Sequence, residues 1–594
     1  MKYEIKSIDA GGRIGLLKHN QKEMITPNLF PVFSPFSNLI PPREIISEFG
    51  GDTIFTNAYI LYNNDDMRKK ALEMGLHEYM EFNGLIATDS GAFQYYMYGN
   101  KEDIKAAEIE RFQEEIEADF PVILDKPVQI TDDYKTASDK VDASTLRAKE
   151  NINRRTLETC AWFGPVHGSQ YPELVRRSAN AMGKLDFGIY AIGGVVKTFN
   201  DYMFDISLEA ILTAKKYLPA NRPIHLFGAG LPQFFALSVA CGADTMDSAA
   251  YILFAKKGRY MTLDGTKHIE DLHELPCTCP ICSAYSAREI QEYHCSKQKP
   301  ERNKGIELIA RHNLYVSFGE LKTVREAIRG GVLWDLVEKR IRAHPKLLKA
   351  YQLISEHGPY FESMEPSERN EAPFYMGNNS FNRPIFYRTS KRLLNNYGLK
   401  KNSIIYLIPE IDATLYNSPS LREWTRCITK KIIKARSDDE KPTELLFVSN
   451  LFGLIPLPLV DVYPFSQREW FLQYERNSTE SEHIRAILME KCADNQANEP
   501  KSDRVQELVN IKSFPVHVDS ERCLNRIKFL EEFFELNQEN IERLIVFRPS
   551  KYISSDNRER QLFQHLIDDL ILILQRGRLN FQGKYKIIED FNKL

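Results

Sequence analysis

The chain is organised around one segment, Gly242-Ala243-Asp244-Thr245-Met246-Asp247-Ser248-Ala249-Ala250-Tyr251. Within it, Asp247 lies where a short β-prone run meets a turn of small residues. A carboxylate at the end of a strand can project into a pocket instead of entering the core, and aspartate is one of the residues that act as nucleophiles. We therefore take Asp247 as a candidate nucleophile, with much of the preceding chain building a pocket around it.

The residues before Asp247 alternate between short apolar runs and longer charged stretches. Strand-helix alternation sustained over this length predicts an α/β fold with a parallel sheet, and the number of units favours a closed (β/α)8 barrel of the TIM type. Residues 1–40 differ, because their glycines and prolines are typical of hairpins and irregular chain. The predicted strands lie at residues 53–56, 85–88, 121–124, 162–166, 189–192, 224–227 and 244–246.

Polar residues and glycines follow these predicted strands at a recurring place. In a TIM-type barrel the carboxyl ends of the strands carry the active site, so these groups are expected to face one mouth. Taken singly, each aspartate is more commonly a helix N-cap and each glycine a turn residue, but their recurrence favours a shared site. The groups are Asp89, Asp125, His167, Gly193-Gly194, Gly228 to Gly230 and Asp247.

The length of 594 residues exceeds what one hydrophobic core usually supports and predicts several domains. We assign residues 1–345 to the barrel, 346–475 to an α+β domain and 476–594 to a mixed, largely helical region. Strands are predicted at residues 404–408, 445–448 and 544–547, helices at 306–315, 332–342, 427–436 and 561–574, and a polar segment, helical with a loose linker, at 473–512.

The composition indicates a folded protein without a strong charge bias. Hydrophobic residues make up 43% of the chain and charged residues 27%, and the formal net charge is -3. Such a balance argues against a protein that coats nucleic acid indiscriminately, although a local basic face can still hold phosphates. The sequence contains no apolar run long enough to span a membrane and no signal-peptide pattern at its start, so we expect a cytoplasmic protein with no membrane partner.

Three of the cysteines, Cys277, Cys279 and Cys282, fall within six residues. Close cysteines in a chain expected to be cytosolic are typical of a metal site. With one imidazole they would form a closed tetrahedral zinc site, whose role is to pin a loop and a helix. The candidate fourth ligand is His312, and His273, His294 and Cys295 are its rivals.

Asp89 and Asp247, with Asp125 as a third carboxylate, form the second chemical signal. Two carboxylates can divide the work of breaking a glycosidic bond, because one attacks the sugar carbon while the other moves a proton. Asp89 precedes a turn of small residues and Phe93, whose ring could approach a planar ligand. A plain core position for Phe93 remains an equal alternative.

Together these motifs resemble the tRNA-guanine transglycosylase family, specifically its archaeal, archaeosine-pathway branch. The resemblance covers most of residues 1–470. The matching segments are Thr88 to Gln94, Gly168 to Leu174, Phe227 to Gly230, Asp247 to Tyr251, Arg259-Tyr260, the cysteine cluster, Arg311 to Tyr315, Arg342 to Pro345 and Val462 to Gln467.

The resemblance implies an enzyme that replaces a D-loop guanine of tRNA, at position 15, with the 7-deazaguanine base preQ0. It implies that Asp247 attacks the ribose C1′ and forms a covalent intermediate, while Asp89 handles protons. It also assigns the base pocket to Asp125, His167, Gly194, Val195 and Phe93, and one structural zinc ion per chain to Cys277, Cys279, Cys282 and His312. No nucleotide cofactor is expected.

Two residues depart from the family pattern, because His167 stands where glutamine is common and Leu231 where histidine often follows the Gly-x-Gly. In addition, residues 500–594 contain no recognisable PUA domain, the module that grips tRNA in archaeal members. A separate PUA-domain subunit would supply that grip, or the substrate differs.

Three alternatives therefore stay open beside tRNA base exchange. They are an archaeosine-synthase-like enzyme, a transglycosylase acting on DNA, and a non-catalytic subunit that positions tRNA. The sequence also leaves open a homodimer, the incoming base and the role of residues 476–594.

Overall fold

A computed structural model describes residues 1–92, 105–366, 374, 376, 378–409, 441–449, 452–467, 528–547, 570–571, 573–574, 581 and 585–588. The chain divides into two compact units, Met1–Pro384 and Ile385–Leu594. The division into three sequence domains stays a prediction. Among the described residues, no helix combines the length and the hydropathy that crossing a membrane requires.

The first unit begins with an antiparallel meander of strands β1 (Lys2–Asp9), β2 (Gly12–His19) and β3 (Lys22–Thr26). Asn20 and Gln21 connect β2 to β3 with positive φ angles of 47° and 62°, as a tight hairpin turn requires. The hairpins predicted in this part of the chain are thus confirmed.

The part of the first unit that the structure describes contains eight parallel strands in two sheets, ordered β4-β11-β10-β9-β8 and β5-β6-β7. Isolated parallel bridges from Val32 to Phe55 and from Val122 to Phe163 connect β4 with β5 and β7 with β8, so both edges of one sheet are linked to the other. The strands are β4 (Asn28–Pro31), β5 (Thr53–Asn57), β6 (Leu85–Asp89), β7 (Phe120–Pro121), β8 (Phe163–Val166), β9 (Ile189–Ile192), β10 (Ile224–Leu226) and β11 (Thr245–Ser248).

The predicted parallel sheet and most of its strands are confirmed, with two differences. Strand β4 was not predicted, and the run 121–124 forms a ladder only over Phe120–Pro121. Beyond Pro121 the backbone carbonyls accept hydrogen bonds from side chains instead of from a neighbouring strand. Gln113 Nε2 donates to the Val122 oxygen at 3.1 Å, and Ser90 Oγ donates to the Ile123 oxygen at 2.9 Å.

Helices connect these strands, and their starts follow local sequence signals. Asn57, Asn64 and Asp133 accept hydrogen bonds from backbone amides as N-caps of α1, α2 and α5. Proline begins α6 and α9, where its missing N–H costs nothing. The helices are α1 (Ala58–Tyr62), α2 (Asp65–Met74), α3 (Leu76–Tyr79), α4 (Ala106–Glu115), α5 (Tyr134–Arg154), α6 (Pro172–Met182), α7 (Val196–Asn200), α8 (Phe204–Lys215), α9 (Pro232–Ala240) and α10 (Ala250–Lys256).

An aromatic cluster fills the space between the parallel strands. The phenylalanine rings come from β4, β5, β8 and the residue before Pro121, and Leu17 and Met24 of the meander pack into the same cluster. Lys22 and Asn20 of the meander also bond the carbonyls of Gly84 and Thr159, just before β6 and near β8. The meander therefore covers the amino-terminal ends of the strands, which leaves the carboxyl ends for a site.

After β11 the chain builds a smaller hairpin and a set of helices. The hairpin is β12 (Arg259–Thr262) and β13 (Gly265–His268). The helices α13 and α14 contain the predicted segments 306–315 and most of 332–342. The helices are α11 (Pro280–Ala284), α12 (Ala287–His294), α13 (Lys299–Gly330), α14 (Leu333–Arg340), α15 (Pro345–Tyr351), α16 (Leu353–Glu356) and α17 (Gly358–Met364).

The second unit contains helix α18 (Pro384–Asn396) and a sheet ordered β16-β15-β14-β17-β18. Strands β14, β15, β17 and β18 run parallel, and β16 pairs antiparallel at the edge. The three strands predicted in this part are confirmed, whereas segments 427–436 and 473–512 and most of 561–574 lie outside the described residues. The strands are β14 (Ser403–Pro409), β15 (Thr443–Ser449), β16 (Gly453–Pro456), β17 (Ile541–Phe547) and β18 (Tyr585–Ile588).

Candidate active site and metal centre

Three aspartates and a histidine gather at the carboxyl ends of the parallel strands. Asp89 is the last residue of β6, Asp247 is the next-to-last residue of β11, and His167 directly follows β8. Asp125 follows β7. The charges of Asp125 and Asp247 both act on Asp89, so the three carboxylates occupy one site, as the recurring strand-end pattern predicted.

Asp247 is held by two donors on the same oxygen. The Gly228 amide donates to Oδ1 at 2.8 Å, and His225 Nε2 lies 3.0 Å from the same atom. The side chain keeps 15% of its surface exposed. Three residues earlier, buried Asp244 accepts from Arg13 Nε and from the Ile224 amide, both at 2.8 Å, which fixes the start of the strand.

Burial changes the acidity of Asp89. Burial raises the pKa of Asp89 to about 7, an effect that the Gly91 amide opposes and the charges of Asp125 and Asp247 reinforce. The Gly91 amide donates to Oδ1 at 3.0 Å, and Asn57 Nδ2 donates to Oδ2 at 3.2 Å. A carboxyl that titrates near neutral pH can both give and take a proton in one cycle.

Asp125 and His167 form a buried pair beside these groups. His167 Nε2 lies 2.6 Å from Asp125 Oδ2, and the two side chains are 1% and 7% exposed. Nε2 must carry a hydrogen, because a carboxylate can only accept. Nδ1 of His167 is buried and bonds no group in the described part of the chain. Nε2 of His167 is therefore committed to Asp125, while Nδ1 has no partner among the described residues.

The backbone after β9 approaches the same region closely. A Cβ on Gly193 would lie 2.4 Å from Cε1 of His167, so the imidazole needs glycine there. Gly194 has φ of 78°, and a Cβ would lie 2.3 Å from the Val128 oxygen. Val195 is fully buried and precedes α7. Close neighbours therefore require glycine at both positions, the His167 ring at Gly193 and the Val128 carbonyl at Gly194. Phe93, the remaining predicted pocket residue, lies outside the described residues.

The predicted metal ligands lie together. One donor atom from each of Cys277, Cys279, Cys282 and His312 falls within 4.8 Å of the others. His312 Nδ1 lies 3.3 Å from Cys282 Sγ and 3.6 Å from Cys279 Sγ. Because Nε2 bonds the Met261 carbonyl at 2.8 Å, Nε2 carries the hydrogen and Nδ1 offers its lone pair toward the thiols.

The neighbours of His312 support a closed metal site. The Tyr260 ring stacks on the imidazole with centroids 3.6 Å apart, and its hydroxyl lies 3.2 Å from Cys282 Sγ. Of the rival ligands, His273 is exposed, while His294 and Cys295 form a separate, more exposed group with Glu270. The cluster can therefore hold a metal ion through three sulfurs and one nitrogen.

Two residues that contact the carboxylates were not identified from the sequence. His225 stands inside an apolar run that indicates a strand interior, and Asn57 resembles an ordinary helix cap, which it also is. The only sequence signal for His225 is a polar residue in a strand with no polar alternation around it.

Comparisons with known proteins agree with this geometry. Residues 9–346 match the sequence profile of the family described as Queuine tRNA-ribosyltransferase. The chain is 35% identical to a tRNA-guanine(15) transglycosylase of Methanococcus aeolicus, over 99% of this chain and 89% of that protein. The protein of the same name from Methanocaldococcus jannaschii is 39% identical over 79% of this chain and 68% of its own length. That from Methanosarcina mazei is 38% identical over 80% and 89%.

Proposed function

We propose base exchange on tRNA as the function of this chain, which belongs to the Queuine tRNA-ribosyltransferase family. Within that family it belongs to the archaeal tRNA-guanine transglycosylase branch, and it is therefore a glycosyltransferase. The guanine at position 15 of the D-loop would be replaced by the 7-deazaguanine preQ0, as a step toward archaeosine. The names of the relatives, tRNA-guanine(15) transglycosylase, support position 15 as the site of exchange. The observation that carries the chemistry is that Asp89 shares one site with Asp247 and that burial raises the pKa of Asp89 to about 7.

In the first half of the proposed reaction, Asp247 is the nucleophile. An oxygen of its carboxylate bonds to the ribose C1′ while the glycosidic bond to guanine breaks. The departing base takes the electron pair of that bond and a proton from Asp89. Splitting the exchange into two displacements keeps the sugar activated while the bases change places.

In the second half, Asp89 acts in the opposite direction. The incoming base loses a proton to Asp89 and bonds to C1′, while the bond between C1′ and Asp247 breaks and its electron pair returns to the carboxylate. One group serves efficiently as acid and then as base when its pKa lies near the working pH, and burial raises the pKa of Asp89 to about 7, close to neutral pH.

The base itself would be bound by Asp125 and by the backbone of Gly194 and Val195, with Phe93 as a stacking partner. We assign His167 to the same pocket through its bond to Asp125. A base that reacts at C1′ must leave the tRNA stack to enter such a pocket, so the enzyme would flip the nucleotide.

The proposal also includes two features of architecture. The strand pairing and the two bridges support a closed (β/α)8 barrel with its mouth at the three carboxylates. Cys277, Cys279, Cys282 and His312 would hold one zinc ion per chain, and its chemistry there is structural, because four protein ligands leave no open position. A separate PUA-domain subunit and a homodimer remain predictions.

The test is transfer of radiolabelled guanine into nucleic acid by the purified chain, with unmodified tRNA and duplex DNA offered in parallel. Label in tRNA alone supports the proposal, provided that Asp247→Ala abolishes it and that Asp139→Ala, at an exposed position of α5, does not. Label in DNA alone would overturn the tRNA assignment, and equal label with Asp247→Ala would overturn the proposed nucleophile.

A further inference from the structure

His225 is a polar residue enclosed by aromatic rings. Its side chain is fully buried in β10. The ring centroids of Phe227, Phe163, Phe30 and Phe55 lie 5.0, 5.1, 5.8 and 6.1 Å from that of the imidazole. A buried imidazole in such surroundings is costly unless both nitrogens have partners. His225 has both, and one of them is Asp247.

The hydrogen bonds of His225 determine where its hydrogen lies. Nε2 is 3.0 Å from Asp247 Oδ1, and Nδ1 is 2.9 Å from Thr245 Oγ1. Because Oδ1 only accepts, Nε2 carries the hydrogen, and the Thr245 hydroxyl can donate to Nδ1. Thr245 and Asp247 are two residues apart in β11 and so share a face of the strand, which lets one imidazole on the neighbouring strand span both.

The donors to Asp247 converge on one of its two oxygens. The Gly228 amide and His225 Nε2 both bond Oδ1. Within the described residues no group bonds Oδ2, so Oδ2 is the oxygen left to form a bond. Two donors in fixed positions therefore distinguish the two oxygens of the carboxylate before any substrate binds.

We propose that His225 is a positioning residue for Asp247, an inference that rests on the proposed base exchange. Its Nε2–H and the Gly228 amide hold Oδ1, so that Oδ2 bonds to C1′. In the glycosyl ester, Oδ1 becomes the carbonyl oxygen and keeps both donors. When the second base bonds to C1′, the electron pair of the C1′–Oδ2 bond returns to a carboxylate that these donors stabilise. Preorganised donors of this kind raise the rate without a rearrangement at the moment of reaction.

The test compares His225→Leu, His225→Gln and Thr245→Val with the parent chain in guanine exchange into tRNA. We expect His225→Leu to lower kcat by about 10²–10³-fold, the usual effect of losing one such donor, with the KM for tRNA almost unchanged. His225→Gln offers an amide N–H in place of Nε2 and should recover at least about tenfold of that loss. Thr245→Val leaves Asp247 and His225 in place but frees the imidazole to move its hydrogen to Nδ1, so kcat should fall about tenfold.

Circular dichroism spectra of the variants distinguish a loss of folding from a loss of catalysis. Circular dichroism identifies any variant that fails to fold, and if His225→Leu does so, His225→Gln and Thr245→Val decide the question. A kcat for folded His225→Leu within threefold of the parent, or a normal kcat for Thr245→Val, would overturn the inference alone. A parent chain that exchanges no guanine would overturn the proposed function, and this inference with it.

Discussion

Nε2 of His167 bonds Oδ2 of Asp125 across 2.6 Å, and both side chains are buried. The bond commits Nε2, the nitrogen of His167 that carries a hydrogen, to Asp125. In the proposed pocket, His167 would therefore determine how the Asp125 carboxylate is held.

For His167→Leu we predict a higher KM for guanine, because Asp125 loses a charge-assisted hydrogen bond in a buried position. Such bonds contribute about 1.5–3 kcal/mol, which corresponds to a rise in KM of roughly 10–150-fold. His167→Gln restores an N–H donor and should stay within about threefold of the parent. Steady-state kinetics with varied guanine measure the effect, and equal KM values for the Leu and Gln variants would contradict it.

The acidity of Asp89 predicts the pH dependence of the reaction. Because burial raises the pKa of Asp89 to about 7, the rate of exchange should be greatest near neutral pH and fall on either side, where one of the two protonation states is scarce. A pH profile of kcat measures this. A rate that stays flat from pH 5 to 9 would exclude Asp89 as the group that moves the proton.

The same shift predicts that Asp89 destabilises the folded chain at high pH. Its pKa is raised on folding, so the native state holds a proton that the unfolded state releases between about pH 4 and 7, and stability falls over that range. Asp89→Asn removes the effect. The variant should melt at a higher temperature than the parent at pH 8, with a smaller difference at pH 5. A variant that melts lower than the parent at pH 8 would contradict the shift.

We predict that Cys279→Ser loses the metal ion, while Cys295→Ser, whose thiol lies in the separate group with Glu270, keeps one equivalent per chain. Tyr260→Phe removes the hydroxyl next to Cys282 and should weaken metal affinity about 10–100-fold, as changes around metal ligands usually do. Elemental analysis of the purified chains and competition with a chelator measure both. Metal retained by Cys279→Ser, or lost by Cys295→Ser, would contradict the ligand set.

The buried ion cluster of Arg383, Glu338 and Asp335 predicts a large effect on stability. Arg383 is 2% exposed, and its Nε donates to Glu338 Oε1 at 2.5 Å. Its Nη2 lies 2.8 Å from Asp335 Oδ1, which makes an ion pair without the geometry of a hydrogen bond. Arg383→Met leaves two buried carboxylates without their cation and should lower the free energy of unfolding by about 3–5 kcal/mol. The matched control is Arg43→Met in an exposed pair with Glu81, which should change it by less than about 1 kcal/mol. Denaturant titrations that give equal changes would contradict the prediction.

The sequence predicted the features that local patterns carry. Continuous apolar runs identified most of the parallel strands, since strands covered on both faces are apolar throughout. The close spacing of Cys277, Cys279 and Cys282 indicated a metal site before its fourth ligand could be derived, because His312 lies on a helix 30 residues further on. Strand β4 escaped prediction, since Asn28–Pro31 lies among prolines that indicate irregular chain.

The site was predictable where residues end strands and not where they lie within them. Three carboxylates stand out in the sequence because each comes at the end of an apolar run, where a charged group would not be expected in a core. They are Asp89, Asp125 and Asp247. His225 does not, since its partners depend on the register between β10 and β11, in which His225 lies opposite Thr245. That register is a property of the folded sheet, and nothing local to residues 224–227 encodes it.

The most direct test of the central claim is a search for the covalent bond between Asp247 and tRNA. The parent chain is incubated with tRNA lacking a modified base and with no free base, denatured, and analysed by gel electrophoresis and by mass spectrometry of the digested complex. We predict a denaturation-resistant protein–tRNA complex whose modified peptide contains Asp247, and which disappears on addition of guanine and in Asp247→Ala. A complex that persists in Asp247→Ala, or a modified peptide without Asp247, would contradict the account.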